Sequence, residues 1–382
     1  MDNLTHSLVG LAAAKAGFDK LSPRATAVCF IAASLPDSDI LFLIFGGRWQ
    51  FLKYHRGITH SILGTIVLAT ILPLVFYLGG CFSARRHSRP NAINLRPLLV
   101  ASLVTAATHP FMDWTNNYGI RLLLPWSSRW FYGDFVFIVD PFLWIAFGGA
   151  AFLLTSKNRI QIAVWAVLAL LLTYLVVLGP TQRGGLSDPT FVRIFWVSAL
   201  VVLVVLYRLR AARRWGAKIG IAAFVLAGVY WGALAYAHIV AVNQSRSLAA
   251  VVARQNGETI VNLAAMPTLA NPLQWQTVFE TDVALYRFNL NLTRPADLSR
   301  LDRYEKSDAS RNPVIEEALK DSRAKILMGF ARFPVVQVDP NCVNQTLVQF
   351  ADLRYTEPGA GRGTFSLDVP VECPAGLPSI SK

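Results

Sequence analysis

Residues 61–80 read SILGTIVLATILPLVFYLGG, twenty positions with no charged side chain. About 20 apolar residues in helical form cross a hydrocarbon core of ~30 Å. This stretch therefore decides the fold class: the chain is solvated by lipid at this point. Further along, residues 160–181 (IQIAVWAVLALLLTYLVVLGPT) are equally free of charge, and residues 219–242 carry one titratable group of note, His238. Shorter apolar runs at 25–46, 97–112, 135–155 and 194–209 bring the expectation to about seven membrane segments, some irregular. Composition agrees: 54% of residues are hydrophobic, 15% are charged and the mean hydropathy is +0.42, whereas a soluble chain carries roughly 25% charged residues. The expected fold is mainly α, a polytopic helical membrane domain over residues 1–242, followed by a smaller soluble α+β domain over 243–382. The N-terminus does not read as a secretory leader, because it opens on Asp2, lacks a basic stretch and has only a short apolar run, Leu8–Ala14.

Charge is distributed unevenly. Residues 1–242 hold 21 Lys and Arg against 8 acids, all Asp, and residues 243–382 hold 15 of each. The basic excess thus belongs to the membrane part, which argues against a nucleic-acid footprint, since that would need a basic soluble face. Basic loops mark the cytoplasmic side of a membrane protein. Arg85, Arg86, Arg89 and Arg96, then Lys157 and Arg159, then Arg208, Arg210, Arg213, Arg214 and Lys218 define that side, whereas Arg183 shares its loop with Asp188. This orientation predicts a multi-pass protein of the bacterial inner membrane with residues 243–382 outside the cytoplasm. Arg48, Lys53 and Arg56 are exceptions on the outer side.

The tail shows strand-like runs at Thr277–Leu290, Phe333–Val338, Gln345–Leu353 and Thr364–Val371, and a helix at Pro313–Phe330 opened by Asn312–Pro313. The residues of the tail single out no particular protein partner. Cys342 and Cys373 are either bridged in an oxidising compartment or two separate thiols. No His follows His238, so any His-based metal site must lie upstream.

Four of the six His fall in short motifs within residues 1–109: THS with His6, HRGITHS with His55 and His60, and HPFMD with His109. PDSD adds Asp37 and Asp39, and HPFMD adds Asp113. His109 and Asp113 are four apart and share one helix face. Imidazole with carboxylate suits zinc, manganese or iron. Uncompensated acids at membrane depth cost at least ~2.5 kcal/mol each on insertion scales, and metal coordination would remove much of that. The plainer readings are an interfacial His6, an ion network of Asp37 and Asp39 with Arg48, Lys53 or Arg56, and a helix-end pair at His109 and Asp113. Taken together they leave unexplained why seven ligand-type side chains fall in four short motifs. The expected metal ligands are therefore His6, Asp37, Asp39, His55, His60, His109 and Asp113. Asp134 and Asp140 are weaker candidates, and Asp140 precedes Pro141 and reads equally as a helix cap.

THSLVG, PDSD, HRGITHS and HPFMDWTNNYG followed by LLPW and FIVDPF resemble the YdjM-like family of bacterial inner-membrane metal-dependent hydrolases. The resemblance covers roughly residues 1–145, where it places the metal site, and it implies hydrolase activity and an inner-membrane location. That family is distantly similar to zinc-dependent phospholipase C and to single-strand nucleases with clustered zinc, through the early His, the Asp-bearing turn and the His109/Asp113 helix. Two departures stand out: no N-terminal Trp, and no Glu before Glu258. Two divalent ions are expected, with room for a third; zinc is the preferred metal and manganese the alternative.

The reaction expected is hydrolysis of a phosphoester or lipid-like ester by a metal-activated water. Asp37 or Asp39 serves as the base. Arg56, Trp114 and Asn116 are candidates to meet substrate. Trp114 reads equally as an aromatic-belt residue, and the cations near His55 as side chains reaching headgroups. The competing classes are a metal-binding transporter or sensor, and an assembly factor whose metal is a structural staple.

Overall fold

The structure is a computed structural model that describes residues 1–182, 189–269, 271–295, 300–307, 312–339, 345–359 and 365–372. The chain divides into two compact units. The first comprises Met1–Asp39, Arg56–His238 and Pro267–Pro272, and the second comprises Ile40–His55, Ile239–Met266 and Leu273–Lys382. Cys342 and Cys373 lie outside the described residues.

In the first unit, α1 (Asn3–Lys15) and α2 (Ala25–Ser34) pack closely because their facing positions are small. Ala12, Ala13, Ala14, Ala32 and Ala33 are buried, and a Cβ on Gly10 would stand 2.5 Å from the Cys29 carbonyl oxygen. Asp2 starts α1 by accepting from the Thr5 amide at 3.0 Å. After α3 (Leu41–Tyr54), which belongs to the second unit, α4 (Ile62–Arg86) begins at Ser61, whose hydroxyl accepts from Gly64 N at 3.0 Å. A side chain on Gly64 would collide with the Ile58 carbonyl, so the bend carrying His60 lies directly against the first turn of α4. α5 (Leu95–Trp114) completes the bundle. Ala32, Ala69 and Ala106 form one layer of its core and Ala25, Val28 and Leu98 another, and Ser102 donates across to the Ala69 carbonyl at 2.7 Å.

Residues 115–140 follow α5 as an irregular segment held by the Ile120–Phe131 bridge and by Gly133 N donating to Trp114 O at 2.7 Å. α6 (Pro141–Leu143) passes through a π turn at Trp144–Gly148 into α7 (Gly149–Thr155). α8 (Arg159–Gln182), α9 (Thr190–Arg208), the short α10 (Ala211–Trp215) and α11 (Lys218–Asn256) follow, and α11 runs on into the second unit.

Among the described residues five helical stretches are long and apolar enough to cross a membrane: Ala25–Tyr54, Ile62–Arg86, Arg159–Val177, Thr190–Arg208 and Lys218–Asn256. Their outer faces are apolar, as lipid requires; Val75 and Leu78 on α4 and Leu170 on α8 are each more than half exposed. The expectation of about seven is reduced because the run at 97–112 belongs to a helix carrying Arg96, His109 and Asp113, and the run at 135–155 contains an apolar helix of only Pro141–Thr155.

In the second unit β1 (Ile260–Thr268), β2 (Asn271–Thr281), β3 (Ala284–Asn291) and β4 (Asp302–Glu305) form a sheet in that order, and β5 (Pro334–Val338), β6 (Gln345–Asp352) and β7 (Ser366–Glu372) form another. Met266, Val278, Leu285, Phe333, Val335 and Leu353 bury a shared core. α12 (Pro313–Ala318) and α13 (Ser322–Phe330) accompany the second sheet. α3 packs on α13 in this unit, and Arg48 donates to the Ser366 carbonyl at 3.0 Å.

Candidate metal centre

The centre is assembled from α1, the turn after α2, the bend before α4, and α5. Pro36 falls in the 3-10 turn Leu35–Ile40 that ends α2, and this turn buries both Asp37 and Asp39. His60 sits in a second 3-10 turn, Ile58–His60, fixed by the Ser61 cap. His109 and Asp113 lie one turn apart on α5, and His6 enters from the first turns of α1. His6, His60 and His109 are wholly buried and Asp113 is nearly so.

Backbone and carboxylate groups around the ring fix the imidazoles. His109 Nδ1 lies 2.6 Å from the Ala33 carbonyl, an acceptor only, so Nδ1 carries a proton, and in the neutral ring Nε2 presents its lone pair inward. His60 Nδ1 lies 3.3 Å from Asp39 Oδ2 and 3.0 Å from Thr59 Oγ1. A proton there again leaves Nε2 as the inward atom. The two Nε2 atoms are 3.1 Å apart. Asp37 Oδ1 stands 3.2 Å from His60 Nε2 and 3.5 Å from His109 Nε2, and Asp113 Oδ2 stands 3.3 and 3.5 Å from the same atoms.

Four electron-pair donors therefore converge with every ligand atom within 4.8 Å of the others. With both rings neutral these donors repel one another, and Asp37 Oδ2 and Asp113 Oδ2 are buried without a hydrogen-bond partner. One shared proton can bridge one of these contacts, not five. A tetrahedral ion with bonds of about 2.0–2.1 Å sets its ligand atoms roughly 3.3–3.4 Å apart, a value inside the 3.1–3.5 Å spanned by the His–His and His–Asp contacts. The residues fit a divalent ion held by Asp37, His60, His109 and Asp113.

The neighbours position these four. His6 stacks on His109 with ring centroids 3.7 Å apart, and its Nε2 lies 3.3 Å from Asp113 Oδ1. The amine of Met1 also donates to Asp113. Arg56, 3% exposed, donates to Asp113 Oδ1 at 2.9 Å and to Asn116 Oδ1 at 2.8 Å, and it stacks over Tyr118 at 4.7 Å. Its own amide donates to Asp39 Oδ2 at 3.0 Å, from a left-handed backbone at φ 53°. Asp39 thus serves as an orienting acceptor for His60 and for the bend.

Of the residues singled out in the sequence, His6, Asp37, Asp39, His60, His109 and Asp113 come together in the first unit. His55 belongs to the second unit, where it ends α3 and stacks on Phe51 at 4.3 Å. Arg56 and Asn116 are buried and bonded to each other. Trp114 is half-buried, edged by Phe111 and Phe135. Arg48 and Lys53 lie over Trp49 and Tyr54 in the second unit. Asp140 is a cap: Oδ1 accepts from Phe142 N at 2.8 Å and Oδ2 from Tyr230 at 2.9 Å. Asp134 is buried at φ 59°. Sequence reading missed the Ala33 carbonyl, because a backbone acceptor has no residue signature. It also missed the bond from Arg56 to Asp113, which the nearness of Arg56 to two His motifs hinted at.

Lipid-facing helices around a buried His/Asp centre define a polytopic membrane protein with a candidate metal site. The chain belongs to the YdjM family of inner membrane proteins, whose sequence profile matches residues 1–183. It is 33% identical over 143 residues to the inner membrane protein YbcI of Escherichia coli (strain K12), covering 36% of this chain and 76% of that protein. It is 28% identical over 154 residues to the uncharacterized protein YfhP of Bacillus subtilis (strain 168), covering 38% of this chain and 44% of that one. The chain thus spans less than half the length of YfhP. No solved structure matches it.

Proposed function

We propose that the protein is a membrane-bound, metal-dependent hydrolase of a phosphoester or lipid-like ester. The observation carrying this reading is the pair of inward Nε2 atoms 3.1 Å apart, flanked by two carboxylates with unpartnered oxygens. The donor set of two imidazoles and two carboxylates favours zinc, with manganese as the alternative. Such an ion, when bound, supplies Lewis acidity and lowers the pKa of water. The chain's own groups do the rest. His60 and His109 are locked in orientation by Asp39 and Ala33. Arg56 offsets the charge of Asp113. Asp37, the least buried member at 8% exposure, has its Oδ2 free to accept a proton from an incoming water, so it is assigned as the base. Substrate would approach from the Asp37 side. The basic loops support an extracytoplasmic second unit.

The burial of all four ligands favours one other reading, a closed structural ion that staples α2, α4 and α5. Metal analysis of detergent-purified protein tests the site itself: bound zinc or manganese is expected, and carefully handled wild type without either would sink both readings. Asp37→Asn then separates them. A hydrolase variant stays folded and loses turnover of phosphodiester substrates, whereas a staple variant loses thermal stability with no turnover to lose.

A further inference from the structure

A second feature lies in the first unit, away from the metal centre. A cavity of about 530 Å³ opens between α1, α7, α8 and α9, lined by Trp144, Phe152, Trp165, Ala169, Trp196 and Leu203 among others. The indole N–H groups of these walls are used internally: Trp165 Nε1 donates to Thr155 Oγ1 and Trp196 Nε1 to Thr173 Oγ1, both at 2.9 Å, and Trp144 Nε1 to Thr5 Oγ1 at 3.0 Å. Its walls therefore offer an apolar guest no competing hydrogen bond, and such cavities stay dry or take apolar ligands. The volume falls in the roughly 300–1,000 Å³ range of ligand pockets.

At the end formed by Tyr207 and Arg208 a second cavity begins, of about 720 Å³, which these two residues also line. Lys157, Arg210 and Arg213 surround it with Arg208. None of the four cations has a carboxylate partner among the described residues. Ser156, 8% exposed, lines the same cavity, and its hydroxyl has no hydrogen-bond partner. The two cationic loops that the sequence assigns to one side of the membrane thus meet around a single pocket. A buried hydroxyl and four uncompensated cations beside a dry apolar slot match a molecule with an anionic oxygen-rich head and a hydrocarbon chain.

We propose that this composite pocket binds an anionic phospholipid of the surrounding membrane. The phosphate head lies among Arg208, Arg210, Arg213, Lys157 and the Ser156 hydroxyl, and one acyl chain fills the slot between α7, α8 and α9. The site is independent of the metal centre.

Native mass spectrometry of the full chain in detergent, titrated with phosphatidylglycerol or phosphatidylcholine of matched chains, tests it. Preferential retention of phosphatidylglycerol is expected, reduced about fivefold per arginine removed in Arg208→Gln and Arg213→Gln. Arg208→Lys/Arg213→Lys keeps the preference if charge carries it, and it guards against misfolding in the Gln variants. Ala169→Phe fills the slot and weakens retention of both lipids. Equal retention of the two lipids in wild type, or a preference unchanged in the double Gln variant, overturns the proposal. So does displacement of the lipid by inorganic phosphate alone, which would make this a free-phosphate site.

Discussion

The two units handle buried carboxylates in opposite ways. In the second unit Asp352 is fully buried, yet its oxygens receive Arg354 N, Nε and Nη2 at 3.1, 2.9 and 2.6 Å and Arg332 N at 3.3 Å. Glu258 likewise accepts from Thr281 at 2.7 Å, Tyr286 at 2.9 Å and Arg303 at 3.1 Å. Each acid meets donors. In the first unit Asp113 Oδ1 meets Arg56 and the Met1 amine, but Asp37 Oδ1 and Asp113 Oδ2 face the Nε2 atoms of His60 and His109, and Oδ2 of each acid lacks a hydrogen-bond partner. A self-satisfied network stabilises a fold without help, whereas a cluster of acceptors needs a cation. Equal burial of acids therefore does not imply equal roles, and the orientation of the neighbouring donors tells the two apart.

The largest expected effect is at Asp113. Asp113→Ala removes a proposed metal ligand and strands the Arg56 guanidinium, and breaking a buried pair costs about 3–5 kcal/mol. Elemental analysis should show the metal gone, and thermal unfolding a matching loss. Asp352→Ala strands Arg354 at a comparable cost but should leave the metal in place. If both variants keep their metal, the contrast between the units collapses. Chelation comes next. Stripping the ion from wild type should remove the stabilisation of a bound ligand, about 2.7 kcal/mol when the free metal stands at 100 times its dissociation constant. Readdition of zinc should restore the thermal midpoint, and an Asp37→Asn/His109→Ala variant should not respond to chelator at all.

The candidate site, unlike the contrast between the units, was legible in the sequence. His6, Asp37, Asp39, His60, His109 and Asp113 stand out because ligand-type residues in an apolar chain are few and need a reason. What the sequence could not supply was direction. The proposed preference for Asp37 over Asp39 rests on Asp39 Oδ2 being taken by the Arg56 amide, a long-range fact set by the fold of the bend. The strand run at 277–290 proved to be a hairpin, β2 and β3 turning at Asp282–Val283, because a continuous apolar alternation hides a tight turn. β1 and β4 went unread, and the helix at Pro313–Phe330 is broken between α12 and α13, where Asp321 caps anew. The sequence reads about seven segments, some irregular, and five helices among the described residues are long and apolar enough to cross; the difference lies where helices are shortened or carry the polar centre.

The acid side of the pH scale offers a gentler probe of the second unit. Burial alone would raise the Glu258 carboxyl, but hydrogen bonds from Thr281, Arg303 and Tyr286 outweigh it and hold it below the usual glutamate range. A depressed folded pKa contributes stability that is fully present above the unfolded value, about 4.3, and is lost as pH falls through the folded one. Denaturant melts from pH 6 downward should therefore show a steeper acid loss in wild type than in Glu258→Gln. Equal slopes would mean that the network does not depend on the charge of Glu258.

The smallest effect, and the sharpest control, is at Asp140. It is buried in the first unit like the candidate metal ligands, but it is satisfied in the manner of the second: Oδ1 caps Phe142 and Leu143, and Oδ2 accepts from Tyr230. If the direction of the surrounding donors decides the role, burial in this unit should not by itself create dependence on metal. Asp140→Asn keeps a capping oxygen and disturbs only the Tyr230 bond, a change of about 1 kcal/mol. The variant should retain the full metal content of wild type and respond to chelator as wild type does. Loss of metal in Asp140→Asn would extend the ionic centre beyond the four ligands and remove the distinction between capped and metal-binding carboxylates on which the comparison of the two units rests.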